Sequence, residues 1–319
     1  MQTEIVNIED LVSKTHSYRK FKEILDFRTV EIQLRPLKKD NPNEGYGLLC
    51  LFKICLLQHL EDLSDRQMER FMQENTAGKW FCEFGLVDRT PSYTVLSKFR
   101  HRLGASKLSE IFAMFRDQLK SHGLMNEVFT FIDASSLISK ASLWEERDEV
   151  IKQKYEKLNN ETLPKVAKDK QAKIGCKGKN KHWYGFKKHI SVDMQSGLIN
   201  KVAVTPANLT DANGLKHVKP QTGAIYADKG YCVSPAVKTC QQYGLHLRAI
   251  KKNNMKDKNT DLDKWISAIR SPYERVFSQQ NKRVRFKGIA KNQFAEFMNA
   301  ICFNLKRIIV LNPPPFSTA

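Results

Sequence analysis

Val128-Phe129-Thr130-Phe131-Ile132-Asp133-Ala134-Ser135-Ser136 is a short apolar run that ends on a carboxylate, and Ala224-Ile225-Tyr226-Ala227-Asp228-Lys229-Gly230-Tyr231 repeats the pattern further along the chain. Each run has the length and the β-branched and aromatic content of a buried strand. An ionised carboxylate in a core is costly, so an Asp at the end of such a strand is either solvated or paired with a cation. Two such ends side by side in one sheet offer oxygen ligands to a hard cation such as Mg²⁺. A third acid, Glu274 in Ser271-Pro272-Tyr273-Glu274-Arg275, sits at a predicted helix start and could close the site from the side.

Each acid also has a plainer explanation. Asp133 before Ala134-Ser135-Ser136 fits an ordinary strand-end turn, and Asp228 precedes the turn-forming pair Lys229-Gly230. Ser271-Pro272-Tyr273-Glu274 reads as a capping box, with Ser at the N-cap, Pro at the first helical position and Glu at the third. In that geometry the Glu reaches back to a backbone N–H and holds no metal. Spacing alone leaves both readings open.

The charge balance narrows the class of partner. Lys and Arg number 53 against 34 Asp and Glu, a net charge of +19, and the excess is clustered in 151–190 and 281–310. Such patches attract phosphate backbones by releasing counterions. A solubilising surface or an anionic membrane face would also use them. Nucleic acid is the better match, because aromatics that can stack on bases (Trp183, Tyr184, Phe186, Phe286) alternate with the basic residues. No run of about twenty uncharged apolar residues exists, so no spanning helix is expected. Met1-Gln2-Thr3-Glu4-Ile5 has no basic region leading into an apolar run, so no secretion signal is expected either. The 7 cysteines form no Cys-x-x-Cys pair and no zinc-spaced Cys/His cluster, which fits reduced thiols.

A chain of 319 residues is expected to form two domains. Residues 1–126 read as helical: an apolar helix over Tyr46–Leu60, one from a Ser64-to-Gln67 capping box to Gln73, one over Ser92–Arg102, and one with Leu108, Ile111, Phe112, Phe115 and Leu119 at helical spacing until Gly123. Arg66, Arg70, Lys98, Arg100 and Arg102 would give a helix-turn-helix-like bundle a DNA-facing surface; a plain helical domain with solvated charges fits the pattern as well. In 127–319 the period changes to that of strands. A basic, polar insertion at about 140–187, with a partial helix at Leu143–Leu158, is expected as exposed loop. A hairpin at Lys188–Asp193 and Leu198–Val204 follows, then a helix after Asp211, the Asp228 strand, a helix at Ser234–Tyr243, and a strand at Leu247–Ile250. A charged loop over 251–264 leads to the Glu274 helix, and a last helix spans about 292–311. This order is that of an α/β, ribonuclease H-like domain with a mixed sheet, in which the first and fourth strands are neighbours.

The motifs resemble those of DDE transposases of bacterial insertion sequences, specifically the insertion-sequence-five family, over most of the chain. Leu63-Ser64-Asp65-Arg66-Gln67-Met68-Glu69, Trp80-Phe81-Cys82-Glu83-Phe84 and Thr94-Val95-Leu96-Ser97-Lys98-Phe99-Arg100 are similar to the family's N-terminal domain. Phe131-Ile132-Asp133-Ala134-Ser135 and Ala227-Asp228-Lys229-Gly230-Tyr231 fit the first and second Asp motifs. Tyr184-Gly185-Phe186-Lys187-Lys188-His189 and Val204–Asp211 fit the strands between them, and Glu274-Arg275-Val276-Phe277 with Val284–Asn292 fits the Glu region. Two departures stand out: Ser267 and Asn281 occupy the Tyr and Lys positions of the wider superfamily's signature, while Arg270 keeps the Arg-to-Glu spacing and Lys282 comes one residue late.

The resemblance implies a transposase that binds the terminal inverted repeats of its element, cleaves there and joins the 3′-hydroxyls to target DNA. It implies catalysis by two Mg²⁺ ions, with Mn²⁺ as a substitute. Asp133 would bridge both ions, Asp228 would ligate one and Glu274 the other. Lys229, Arg270, Lys282, Lys187, Lys188 and Arg285 would contact DNA. A homodimer or larger assembly on the ends, no membrane, and a cytoplasmic, nucleoid-associated location in a bacterium are expected. Two alternatives remain at this level: a nuclease of the same fold without strand transfer, and a DNA-binding protein whose acid site is inactive.

Overall fold

In the computed structural model, residues 6–38, 45–139, 167–177, 181–256, 258–278 and 282–312 are described; the expected partial helix at 143–158 lies outside them. The chain forms two compact units, one of residues 1–118 with 297–319 and one of residues 119–296.

The first unit is helical. It comprises α1 (Ser17–Ile24), α2 (Phe27–Leu34), α3 (Leu48–Leu60), α4 (Asp65–Glu74), α5 (Thr76–Phe81) and most of α6 (Tyr93–Ser121). Helix α3 is apolar on nearly all sides and is correspondingly buried from Leu51 to Leu60. The expected capping box opens α4: Ser64 Oγ accepts from Gln67 N–H, and Gln67 Oε1 accepts from Ser64 N–H at 2.9 Å. The two helices expected over 92–121 run into each other and are broken at Gly104, whose φ of +63° is one that a residue without a Cβ adopts cheaply. Composition gave no sign of α1, α2 and α5, which are short and need their neighbours to persist.

The second unit is a mixed α/β layer structure. Its strands are β1 (Phe129–Ile138), β2 (Lys173–Lys177), β3 (Lys181–Asp193), β4 (Ile199–Pro206), β5 (Ala224–Ala227) and β6 (His246–Ala249). They form one six-stranded sheet in the order β2-β3-β1-β5-β6, with β4 also paired to β3. The hairpin is longer than its sequence signal, and β2 was not foreseen, because lysines on its exposed face mask the strand. Gly185 lets β1 and β3 close together: a Cβ there would stand 2.1 Å from the Leu137 carbonyl oxygen.

Helices α7 (Asp211–Val218) and α8 (Ser234–Gln242) cover one face of the sheet, around Ile132, Ile225, Ala227, Leu215 and Tyr231. Helix α9 (Thr260–Ser278) covers the other, where the Phe131 and Tyr273 rings lie 5.9 Å apart and those of Tyr226 and Trp265 6.0 Å apart. Helix α10 (Ile289–Leu311) runs from this unit into the helical one.

Two expectations fail here. Asp133 does not end its strand, because β1 continues to Ile138 along β3. The Glu274 helix does not start at Ser271 but at Thr260, so the supposed charged loop over 251–264 already contains its first turn, and Pro272 is interior to it. Glu274 is therefore not a capping residue.

Candidate active site

Strands β1 and β5 run parallel, with Phe129 opposite Ala224 and Ile132 opposite Ala227. Asp133 is the next residue of β1, and Asp228 is the residue that follows β5. Because side chains alternate along a strand, they share the face of Phe131 and Tyr226, which is the α9 face. One aspartate accepts from its neighbour's amide, Ala134 N–H to Asp133 Oδ1 at 2.8 Å, and the other from Lys229 N–H to Asp228 Oδ1 at 2.7 Å. The Lys229 bond opens a 3-10 turn over Lys229–Tyr231 that ends β5 and turns Asp228 toward solvent.

Helix α9 brings the third acid and a cation. Arg270 and Glu274 are one turn apart, with Nη2 of Arg270 3.7 Å from Glu274 Oε1 and Nη1 3.7 Å from Asp228 Oδ1. The guanidinium also lies over the Phe131 ring at 5.3 Å. Arg270 is only 4% exposed, whereas the Asp228 and Glu274 side chains are 43% and 60% exposed. Arg270 is thus a buried cation between two carboxylates that reach outward. Burial pushes the Asp133 carboxyl up to about 6; the Ala134 amide and the charges of Arg270 and Lys177 pull the other way, and Asp228 adds to the rise.

The three carboxylates are hard oxygen donors on one face of the sheet, a donor set that fits Mg²⁺ or Mn²⁺ and excludes a zinc-type thiolate or imidazole site. Among the described residues no three acids, His or Cys converge closely enough to hold an ion jointly. Arg270 stands between Asp228 and Glu274. Beneath the site the fully buried Tyr231 hydroxyl has no partner among the described residues, and burial with the charges of Asp133, Asp211 and Asp228 drives its pKa far up.

The candidate phosphate contacts divide sharply. Lys229 and Lys282 are exposed, and Arg285 is half-buried. The 282–284 segment runs beside the end of β1, with Ile138 N–H donating to the Lys282 carbonyl at 2.7 Å and Val284 N–H to the Ile138 carbonyl at 3.0 Å. Lys188, by contrast, is 1% exposed, with Nζ 3.0 Å from Glu296 Oε2. Lys187 is buried too, its Nζ 2.8 Å from Asp211 Oδ1 and donating to the Leu209 carbonyl at 2.7 Å. Both are withdrawn from any phosphate, because β3 is an interior strand whose two faces are covered. The same burial takes Tyr184 and Phe186 into the core with Leu137 and Val204. In the helical unit Arg66, Arg70 and Lys98 are exposed, but Arg100 is buried and donates to Gln58 Oε1 at 3.1 Å and to Asp65 Oδ2 at 2.5 Å. Sequence reasoning missed Lys177, an exposed residue of β2 whose charge acts on Asp133, because the lysine-rich run around it gave no strand to place it on.

Two family models match the chain in order. Residues 6–102 match the Transposase domain (DUF772), and residues 151–305 match the Transposase DDE domain. The second match contains Asp228 and Glu274, and Asp133 falls between the two. Among solved structures, the piggyBac transposase synaptic complex with hairpin DNA is similar at 10% identity over 93% of this chain and 74% of that one, with a TM-score of 0.41. The Mos1 transposase paired-end complex with left transposon end is similar at 7% identity over 88% of this chain and 82% of that one, with a TM-score of 0.19.

Proposed function

Starting from the two domain matches, which make this chain a DDE-type transposase and so a metal-dependent enzyme that cuts DNA and transfers strands, we propose that Asp133, Asp228 and Glu274 are its catalytic carboxylates. The observation that carries the assignment is the parallel pairing of β1 with β5, which sets Asp133 and Asp228 side by side on the face crossed by α9. The strand order β4-β3-β1-β5-β6, with β1, β3 and β4 antiparallel and β5 and β6 parallel to β1, supports a ribonuclease H-like fold for this domain. We assign the element to the insertion-sequence-five family on its sequence motifs.

The three carboxylates would hold Mg²⁺, or Mn²⁺ in its place, as a pair of ions. The chemistry such ions would supply is activation of the attacking oxygen and stabilisation of the leaving oxygen in an in-line displacement at phosphorus. Asp133 must give up its proton to serve as a ligand, and burial holds its carboxyl up at about 6. Lys229, exposed next to Asp228, and Lys282, exposed beside the end of β1, would bind the phosphates of the cleaved strand, with Arg285 in a supporting position; Arg270, 4% exposed, is too enclosed for such a contact. The substrates are the terminal inverted repeats and target DNA. The helical unit, with Arg66, Arg70 and Lys98 on its surface, would read the repeats, and two copies at least would bring the two ends together.

The test is to incubate the protein with DNA carrying the element's ends and a target plasmid, with Mg²⁺, Mn²⁺, Ca²⁺ or chelator. Cleaved ends and joined products with Mg²⁺ or Mn²⁺, and binding without chemistry in Ca²⁺, are expected. Full activity in chelator would overturn the metal assignment, and cleavage without joining would favour the nuclease reading.

A further inference from the structure

The charged groups of the site are not all acids, and the buried one is the cation. Arg270 is the most enclosed member of the cluster, yet neither of its carboxylate contacts is a hydrogen bond: both are 3.7 Å, beyond the range of a directional N–H···O interaction. Its Nε is buried with no partner among the described residues. A guanidinium taken out of water ordinarily gains a fork of short bonds to carboxylate in return. Arg270 instead lies loosely between two acids that sit on different elements, Asp228 at the end of β5 and Glu274 one helical turn away on α9. The carboxylates are the exposed partners, so an ion arriving from solvent meets them before it meets Arg270.

From this geometry we propose that Arg270 is the resident counter-cation of the metal-free site, competing with divalent metal for Asp228 and Glu274. The inference rests on the metal-site reading above and adds to it a residue that tunes metal uptake. Without Arg270, Asp228 and Glu274 would have no cation between them and would bind metal more strongly even with no DNA present. With it, the acids are neutralised until metal displaces the guanidinium from them. Arg270 is therefore a positioning residue: it acts on the acids and, through them, on the metal. The resulting weak metal binding without DNA would keep the protein from cutting at random.

Mn²⁺ binding to the full-length protein without DNA, followed by calorimetry, tests this. Arg270→Gln should bind Mn²⁺ tenfold or more tightly than the parent, and Arg270→Lys, which keeps the charge, should stay within a few-fold of it. In chelator Arg270→Gln should melt below the parent, and Mn²⁺ should raise its melting temperature by more. Should the Gln variant not fold, the parent itself answers. With ¹⁵N-labelled arginine, one buried side-chain Nε–H signal should shift as Mg²⁺ saturates the site. A folded Arg270→Gln with parental or weaker Mn²⁺ affinity overturns the inference alone, as does an arginine spectrum that ignores Mg²⁺ at saturation. If neither the parent nor a folded Arg270→Gln takes up Mn²⁺, the metal-site reading is overturned and this inference with it.

Discussion

His189 lies wholly inside the second unit, its Nε2 2.9 Å from Thr205 Oγ1 and its Nδ1 without a partner among the described residues. Helix α7 comes so close that a Cβ on Gly214 would stand 2.1 Å from His189 Cε1. Burial, the largest influence, lowers the imidazole to about 4, with Asp211 opposing it and Lys187 and His217 adding to it. A base depressed in the folded state contributes stability that is complete above its unfolded value, near 6.5, and is lost as pH falls toward 4, because the unfolded chain then binds the extra proton. Between pH 7.5 and pH 5 denaturant unfolding should therefore show the parent losing about 2 kcal/mol relative to His189→Gln, a comparison in which the opposite-signed contribution of Asp133, whose carboxyl is raised to about 6, cancels. An unchanged slope in the variant would place the titration elsewhere. At this scale Asp133 and Asp228 are conspicuous in the sequence because each interrupts or ends an apolar run. The sequence could not expose which lysines are usable. Lys187 and Lys188 look like any pair in a basic run, and only the covering of both faces of β3 decides that they are core residues.

Helix α9 shows where local signals mislead. Ser271-Pro272 is a strong start signal, yet α9 begins at Thr260, because Ile266 and Val276 are buried against the sheet and tertiary packing outweighs the interior proline. The succession of strands and helices along the second unit was legible, since apolar runs and turn residues are local features, while β2 was not. The same scale holds the Lys188–Glu296 pair, which ties β3 to the start of α10. Breaking such a buried pair leaves one charge stranded, so Lys188→Ala should cost about 3–5 kcal/mol of stability, with Lys188→Met/Glu296→Leu costing much less. Urea unfolding measures both. A Lys188→Ala protein of parental stability but reduced DNA affinity would restore Lys188 as a phosphate contact.

Across the whole molecule, the last helix belongs to both units. Its second half packs in the helical unit, with Met298, Ile301, Leu305 and Ile308 buried, Phe297 5.7 Å from the Phe112 ring, and Lys306 Nζ donating to the Leu60 carbonyl at 2.8 Å. A fragment of 127–319 would expose that apolar face and should aggregate, which light scattering would show; end-reading is better tested by substituting Arg66, Arg70 and Lys98. DNA affinity should fall with salt by about 0.9 log unit per log unit of salt for each phosphate neutralised. Replacing Lys229 and Lys282 by Gln should flatten that slope, read by fluorescence anisotropy, and an unchanged slope would make them solvated surface only. The central claim is that Asp133, Asp228 and Glu274 act as one metal-holding set, and Glu274→Gln tests it most directly, because Gln keeps the side chain's shape but is a poor ligand for a hard divalent ion. We predict a variant that melts like the parent and binds end DNA like the parent, yet neither cuts nor joins it with Mg²⁺, matching Asp133→Asn and Asp228→Asn. Near-parental cleavage by Glu274→Gln would contradict the account.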